Sequence, residues 1–273
     1  MAHQILPHFF LYSRTGSQEP RRDNNSSFRV IIHGINDVLQ EHQVYIHAAL
    51  FLLRDIGDAC KELWKTPVAK MRGVLTLTDR GYKAKPLRRV FIKKPGKKAK
   101  RPLGIPCMYD RAMQALYALA LDPVSEPTAD TASFGFRKGR SVQDACEYIF
   151  TVLCQKVSAQ WVLEGDIKGC FDHISHDWLI ENIPMDKSVL KQFLKAGFIF
   201  QDELFPTEEG TPQGGVISPI LANMALDGIQ KVLSDRFHTN RMGKVDLRFK
   251  NAHKVDLVRY ADDFIVTAAT DVH

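Results

Sequence analysis

Two adjacent carboxylates, Asp262 and Asp263, interrupt an apolar run near the end of the sequence, which reads "VRYADDFIV" over residues 258–266. The flanking residues favour β-strands, yet two like charges side by side repel and each resists burial. Aspartate is also common in turns, so this pattern alone fits either a β-turn or a pair of metal ligands. A third carboxylate arriving on another strand would favour the metal site, because a cation would then hold all three.

A candidate for that third carboxylate is Asp166, which stands near the end of the apolar segment 161–167, "WVLEGDI". This segment predicts a buried strand, and an acid at its end could equally cap a following helix. If the strand lies beside the one that carries Asp262 and Asp263, three carboxylates converge. Such a set can hold two Mg²⁺ ions roughly 3.5–4 Å apart, an arrangement that activates a hydroxyl and clamps a phosphoryl group in line.

Positive charge is concentrated upstream, in the stretch "RGYKAKPLRRVFIKKPGKKAKRPLGIP" over residues 80–106, which contains no acidic residue. The segments "LRRVFI" and "KRPLGI" are typical of strands and the Pro-Gly pair between them of a turn, so we predict a β-hairpin. A run of charge is more often a solvated surface, but this hairpin could pack one face and offer the other to phosphates. The candidate nucleic-acid contacts here are Arg88, Arg89, Lys97 and Lys98.

A second basic segment, "SFGFRKGRS" over residues 133–141, precedes a helix predicted from about Val142. A basic loop before a helix can bind phosphate through backbone N–H groups, although many such loops bind nothing. The sequence therefore adds Arg137, Lys138 and Arg140 to the candidate nucleic-acid contacts.

The segment "EGTPQGG", residues 209–215, places Gln213 in a glycine-rich loop. A Gly-Gly pair usually marks a turn. It can also allow a bulky ligand, such as a base pair, to approach the backbone closely. The sequence leaves both readings of this loop open.

Composition limits the classes of protein to consider. The 273 residues could form one large domain or two modest ones, and a formal net charge of +6 favours a polyanionic partner. The most apolar run is about half the length needed to span a bilayer, so we expect no membrane association. Five cysteines with no CxxC pair fit reduced thiols, and we expect a cytoplasmic protein.

Five segments in chain order resemble successive blocks of the reverse transcriptases encoded by bacterial group II introns, the intron maturases. They are "RPLGIP", "SFGFRKGRS", "EGDIKGCFD", "EGTPQGGVISPILAN" and "RYADDFIV". The resemblance runs from about residue 63 to residue 266. A lone YADD would carry little weight, whereas five motifs in the same order make the resemblance specific.

The resemblance implies an α+β fold of the right-hand polymerase type. Residues 63–159 would form largely helical fingers with the basic β-hairpin, and residues 160–273 a partial antiparallel palm sheet that stops after the YADD hairpin, with the thumb absent. Residues 1–62 do not resemble the family, and we expect a divergent N-terminal segment of uncertain structure. An upstream frame shift or fusion would explain that junction.

Site residues follow from the same resemblance. Asp166, Asp262 and Asp263 would be catalytic and would hold two Mg²⁺ ions, for which Mn²⁺ could substitute, with the backbone carbonyl of Ile167 as a further ligand. Residues on the fingers would contact the incoming nucleotide, a bulky side chain would exclude its ribose 2′-hydroxyl, and a glutamine would contact the template and primer. These nucleotide-binding residues are Lys94, Arg101, Phe171 and Gln213, although ordinary core packing is an alternative for Phe171.

The implied function is an RNA-directed DNA polymerase that adds deoxynucleotides to a DNA primer on an intron RNA template, with a role in intron splicing. The partners would be RNA, primer and deoxynucleoside triphosphates. We expect a chain without the thumb to polymerise poorly, and a homodimer or a complementing C-terminal chain could supply what is missing. An RNA-binding splicing cofactor or inactive fragment is the main alternative, and a metal-dependent nuclease is a distant third.

Overall fold

The computed structural model of the chain describes residues 64–93, 100–238 and 253–269. The predictions for residues 1–62, Lys94, Lys97 and Lys98 lie outside these residues. The described residues form two compact units. Residues 125–170, 223–238 and 253–269 make up the first unit, and residues 64–93, 100–124 and 171–222 make up the second. Both units are discontinuous in sequence, so they do not coincide with the predicted division at residue 160.

Helices and strands alternate irregularly along the chain. The elements are α1 (Pro67–Leu75), β1 (Leu87–Lys93), β2 (Lys100–Ile105), α2 (Met108–Ser125), α3 (Val142–Leu153), β3 (Trp161–Asp166), α4 (His176–Asn182), α5 (Lys187–Leu194), β4 (Phe198–Phe200), β5 (Glu203–Phe205), α6 (Ser218–Leu226), α7 (Ile229–Phe237), β6 (Leu257–Tyr260) and β7 (Asp263–Ala268). Short 3₁₀ turns occupy Glu126–Thr128 and Cys170–Asp172.

The second unit contains a four-stranded sheet in the order β2-β1-β4-β5. Strands β1 and β2 pair antiparallel with Arg88 opposite Ile105, which confirms the predicted β-hairpin. Strand β4 pairs parallel with β1 and antiparallel with β5. Helix α2 contributes much of the buried core of this unit, and its buried side chains include Met113, Tyr117 and Leu121, which recur every four residues.

The first unit contains a three-stranded antiparallel sheet in the order β3-β7-β6. Its core joins Val258 of β6 to Phe134 and to Ala145 of α3. Ser141 is the N-cap residue of helix α3, and its side chain and that of Asp144 form a reciprocal capping box. Helices together with two sheets of mostly antiparallel strands confirm the α+β class.

Strand β3 differs from its prediction as a buried strand. It is an end strand of the described sheet, and Trp161, Val162 and Leu163 are 52%, 49% and 62% exposed. The apolar sequence therefore predicted the strand correctly, but the prediction that the strand is buried was wrong. Among the described helices, none is both long enough and apolar enough to cross a membrane.

Candidate active site

The sheet of the first unit brings the three predicted acids together. Strand β3 pairs with β7 so that Asp166 lies directly opposite Asp263, an arrangement that places Cα atoms about 4.5–5.5 Å apart. Asp262 lies in the two-residue turn between β6 and β7, because Tyr260 pairs with Asp263. The Ile167 N–H donates to the Asp262 carbonyl at 3.1 Å, which ties the end of β3 to this turn.

The carboxylates influence one another electrostatically. Burial raises the pKa of Asp263, and the negative charges of Asp262, Asp166 and Glu164 raise it further. A cation at this end of the sheet would relieve that repulsion. The acids therefore form one electrostatic site that favours the binding of positive charge.

The donor set suits a divalent cation with a preference for oxygen ligands, since all three side chains are carboxylates. In the part of the chain that the structure describes, no three acid, histidine or cysteine side chains are already clustered as a metal cage. The carbonyl of Ile167 accepts from the Cys170 N–H at 3.1 Å and retains a second lone pair.

The "SFGFRKGRS" loop packs against the turn that carries the acids. Phe134 N–H donates to the Arg259 carbonyl at 2.8 Å, and Arg259 N–H donates to the Ala132 carbonyl at 2.9 Å. A Cβ on Gly135 would lie 2.3 Å from the backbone nitrogen of Ala261. The loop can approach the turn this closely because residue 135 is glycine.

Two of the three cations predicted to bind nucleic acid in this loop form ion pairs within the protein. The buried guanidinium of Arg137 donates to Asp227 at 2.6 Å and to Glu126 at 3.2 Å. Arg140 pairs with Glu126 and donates to the Ser133 carbonyl at 2.6 Å. These contacts favour a structural role for both arginines. Lys138 is exposed, and its nucleic-acid contact stays a prediction.

A further arginine, Arg259, contacts the turn that carries the acids and was not among the predicted site residues. Its side chain is 0% exposed and contacts Asn223, Asp227 and the Ala261 carbonyl. The signal in the sequence was a lone cation inside the apolar strand "LVRY", which only Ala261 separates from the two acids. Such a residue needs buried partners, because an unpaired charge in a core is strongly unfavourable.

The other predicted site residues that the structure describes lie in the second unit. Arg101 is exposed on β2, opposite Ile92, and Phe171 is half-buried. The Gln213 side chain donates to Asp172 at 3.3 Å. Arg88 is exposed on β1. Arg89 stacks over the Phe198 ring at 3.7 Å, and burial lowers the pKa of this arginine.

The glycine-rich loop around Gln213 is held by the segment that follows Phe171. Thr211 N–H donates to the Phe171 carbonyl at 2.6 Å, and Gly210 adopts a φ of +81°. A Cβ on Gly210 would lie 2.6 Å from the Phe171 carbonyl oxygen. Within the second unit, backbone contacts thus fix Phe171 and Gln213 relative to each other.

His176 supports the same loop and gives it a pH dependence. Its Nε2 lies 2.8 Å from the Gly210 carbonyl, and burial lowers the pKa of the ring below its ordinary value. The unfolded chain binds a proton below about pH 6.5, whereas the folded chain resists it, so stability falls as pH drops through that value. We expect the thermal midpoint of the wild type to fall more between pH 7.5 and 5.5 than that of His176→Gln. Parallel curves for the two proteins would contradict this.

Sequence comparison identifies the family. The profile described as reverse transcriptase (RNA-dependent DNA polymerase) matches residues 92–273, which include all three acids. The chain belongs to this family. Reverse transcriptases are generally dependent on divalent metal ions, in agreement with the carboxylate donor set.

Curated relatives of this reverse transcriptase include intron-encoded proteins. The group II intron-encoded protein LtrA of Lactococcus lactis subsp. cremoris is 39% identical over 188 residues, which cover 66% of this chain and 30% of LtrA. Protein YkfC of Escherichia coli K12 is 34% identical over 209 residues, covering 68% of this chain and 55% of YkfC. The similarity to LtrA confirms the predicted resemblance to group II intron-encoded proteins. The chain spans about a third to a half of the length of these relatives.

Among solved structures, a chain of a partial Cas6-RT-Cas1–Cas2 complex matches 84% of this chain, with 24% identity and a TM-score of 0.46. The match covers 37% of that chain.

Proposed function

We propose that this chain carries the polymerase site of a group II intron reverse transcriptase, which adds deoxynucleotides to a primer on an RNA template. The observation that carries the proposal is the placement of Asp166 opposite Asp263, with Asp262 in the adjoining turn. Membership of the reverse transcriptase family and similarity to intron-encoded proteins support the same conclusion. In this reading, residues 63–159 belong to the fingers and residues 160–273 to the palm.

Two Mg²⁺ ions, or Mn²⁺ in their place, are the proposed cofactors. Asp166, Asp262, Asp263 and the Ile167 carbonyl would hold them. When bound, such ions lower the pKa of an attacking hydroxyl and stabilise charge on the transferred phosphoryl group. The contribution of the protein is to hold the carboxylates at one end of a sheet, where hydrogen bonds fix the backbone.

Binding of the nucleotide and template is assigned to the second unit. Arg101, and Lys94 outside the described residues, would contact the triphosphate, and Gln213 would lie along the template and primer. Cations on the hairpin and, in the first unit, on the loop would contact the phosphate backbone, which dominates affinity for nucleic acids. These proposed backbone contacts are Arg88, Lys97, Lys98 and Lys138, with a lesser part for the stacked Arg89.

Phe171 is the proposed barrier to ribonucleotides. If its ring fills the space of a ribose 2′-hydroxyl, Phe171→Ala should raise the ratio of ribonucleotide to deoxynucleotide incorporation. An effect of 1–3 kcal/mol on discrimination corresponds to about tenfold or more. The measurement is single-nucleotide extension with each substrate. If total extension falls while the ratio is unchanged, Phe171 only packs against its neighbours.

The function is tested by primer extension on an RNA template with Mg²⁺ and deoxynucleotides, with RNA binding measured in parallel. The polymerase proposal is supported if the wild type extends the primer and the variant with both Asp262 and Asp263 replaced by alanine does not. If neither protein extends the primer and both bind RNA equally well, the polymerase proposal fails and the second reading, an RNA-binding splicing cofactor, stands. The basic hairpin and the intron-encoded relatives favour that reading as the alternative.

A further inference from the structure

The buried side chain of Arg259 binds the turn that carries Asp262. One nitrogen of its guanidinium, Nη1, donates to the Ala261 carbonyl at 3.1 Å and to Asn223 Oδ1 at 3.1 Å. The other terminal nitrogen, Nη2, donates to Asp227 Oδ1 at 3.0 Å. Arg259 therefore connects the last backbone carbonyl before Asp262 to two side chains at the end of α6 and just beyond it.

The partners of Arg259 are themselves fixed. Asp227 also receives the Arg137 guanidinium at 2.6 Å, so one carboxylate pairs with two cations. Asn223 is buried, and its Nδ2 donates to the Gly135 carbonyl at 2.9 Å. The same network thus reaches both sides of the turn, through the Ala261 carbonyl and through the glycine that packs against the Ala261 nitrogen.

Stability alone does not account for this arrangement. Removing a guanidinium from water is costly, and replacing buried ion pairs by well-packed apolar residues is often neutral or stabilising. What an apolar residue cannot do is bind a particular carbonyl. Ala261 has a φ of +59°, a conformation that non-glycine residues rarely adopt, so this turn needs such a restraint.

We propose that Arg259, held by Asp227 and Asn223, is a positioning residue that sets the turn so that Asp262 and Asp263 can bind metal ions together with Asp166. This inference rests on the proposed polymerase function. Mutation of a residue that orients a metal ligand without binding the metal itself typically lowers metal affinity or activity about 10–100-fold. Lysine preserves the charge at this position but cannot donate in the same fork to three acceptors.

The test measures metal binding directly, with Tb³⁺ luminescence of the full chain and competition by Mg²⁺. We expect Arg259→Lys to weaken Tb³⁺ binding about 10–100-fold. Arg236→Lys is the matched control, because Arg236 is exposed in the same unit, and it should leave Tb³⁺ affinity unchanged. Thermal unfolding of each variant shows whether it is folded.

A second variant covers the case in which Arg259→Lys does not fold. Asn223→Ala removes one acceptor of Nη1 and leaves the pairing with Asp227, and we expect about fivefold weaker Tb³⁺ binding from the loss of roughly 1 kcal/mol. If Arg259→Lys folds and binds Tb³⁺ as tightly as the wild type, the inference is wrong but the polymerase proposal is not. If Arg259→Lys does not fold, wild-type Tb³⁺ affinity in Asn223→Ala has the same meaning. A genuine metal site requires that Mg²⁺ displaces Tb³⁺ from the wild type and that Asp263→Asn abolishes Tb³⁺ binding. If the wild type shows no such binding, the metal site and the inference are both wrong.

Discussion

Asp262→Asn is expected to reduce primer extension on RNA by roughly a thousandfold or more, because losing one metal-binding carboxylate removes several kcal/mol of transition-state stabilisation. The amide keeps the shape of the side chain and its place in the turn, so the change is confined to charge. Single-turnover extension at saturating nucleotide measures the effect on the chemical step. A loss of less than tenfold would show that Asp262 is not a metal ligand.

The same variant should fold at least as well as the wild type. The charge of Asp262 helps to raise the pKa of Asp263, which means that the ionised acids destabilise each other in the folded state. Removing one charge relieves this repulsion, so the thermal midpoint at pH 8 without divalent ions should stay the same or rise. Asp235→Asn, at an exposed position on α7, is the matched control and should retain extension. A marked drop in the midpoint of Asp262→Asn would attribute the lost activity to unfolding.

The element on which each acid lies could be predicted, because strand, turn and acid signals are local. "VRYADDFIV" predicts a hairpin with the acids at its turn, and "WVLEGDI" predicts a strand with an acid at its end. The register that places Asp166 opposite Asp263 is a long-range pairing, and only the folded sheet determines it. The resemblance to the family implied that the three acids share one site, but it did not give the register of the strands.

The roles of the arginines could not be predicted in the same way. Arg137 and Arg140 have the local sequence of a phosphate-binding loop, but Glu126 and Asp227 reach them from other segments and neutralise them. The exposure of Trp161, Val162 and Leu163 was also missed, because an end strand and a central strand can have the same apolar sequence. In each case the outcome depends on how separate segments pack together, which the local sequence does not show.

Gly135→Ala is expected to displace the turn that carries the acids. The new Cβ would lie 2.3 Å from the Ala261 nitrogen and 2.9 Å from the Tyr260 carbonyl carbon, and both are backbone atoms that cannot rotate away. Inserting a methyl group into a packed site typically costs about 1–3 kcal/mol. A displacement of the acids by about 1 Å would cost about a hundredfold in activity. Thermal unfolding and primer extension measure the two effects.

Gly139→Ala, in the same loop, separates this clash from a general effect of losing a glycine. Gly139 has a φ of +72° and open space around its Cα, so alanine there is strained by about 1 kcal/mol but meets no neighbour. The two variants should therefore be destabilised to a comparable degree, while only Gly135→Ala loses most of its primer extension. Equal extension by both would mean that the loop does not position the turn. The contacts among Gly135, Asn223 and Arg259 would then serve stability alone.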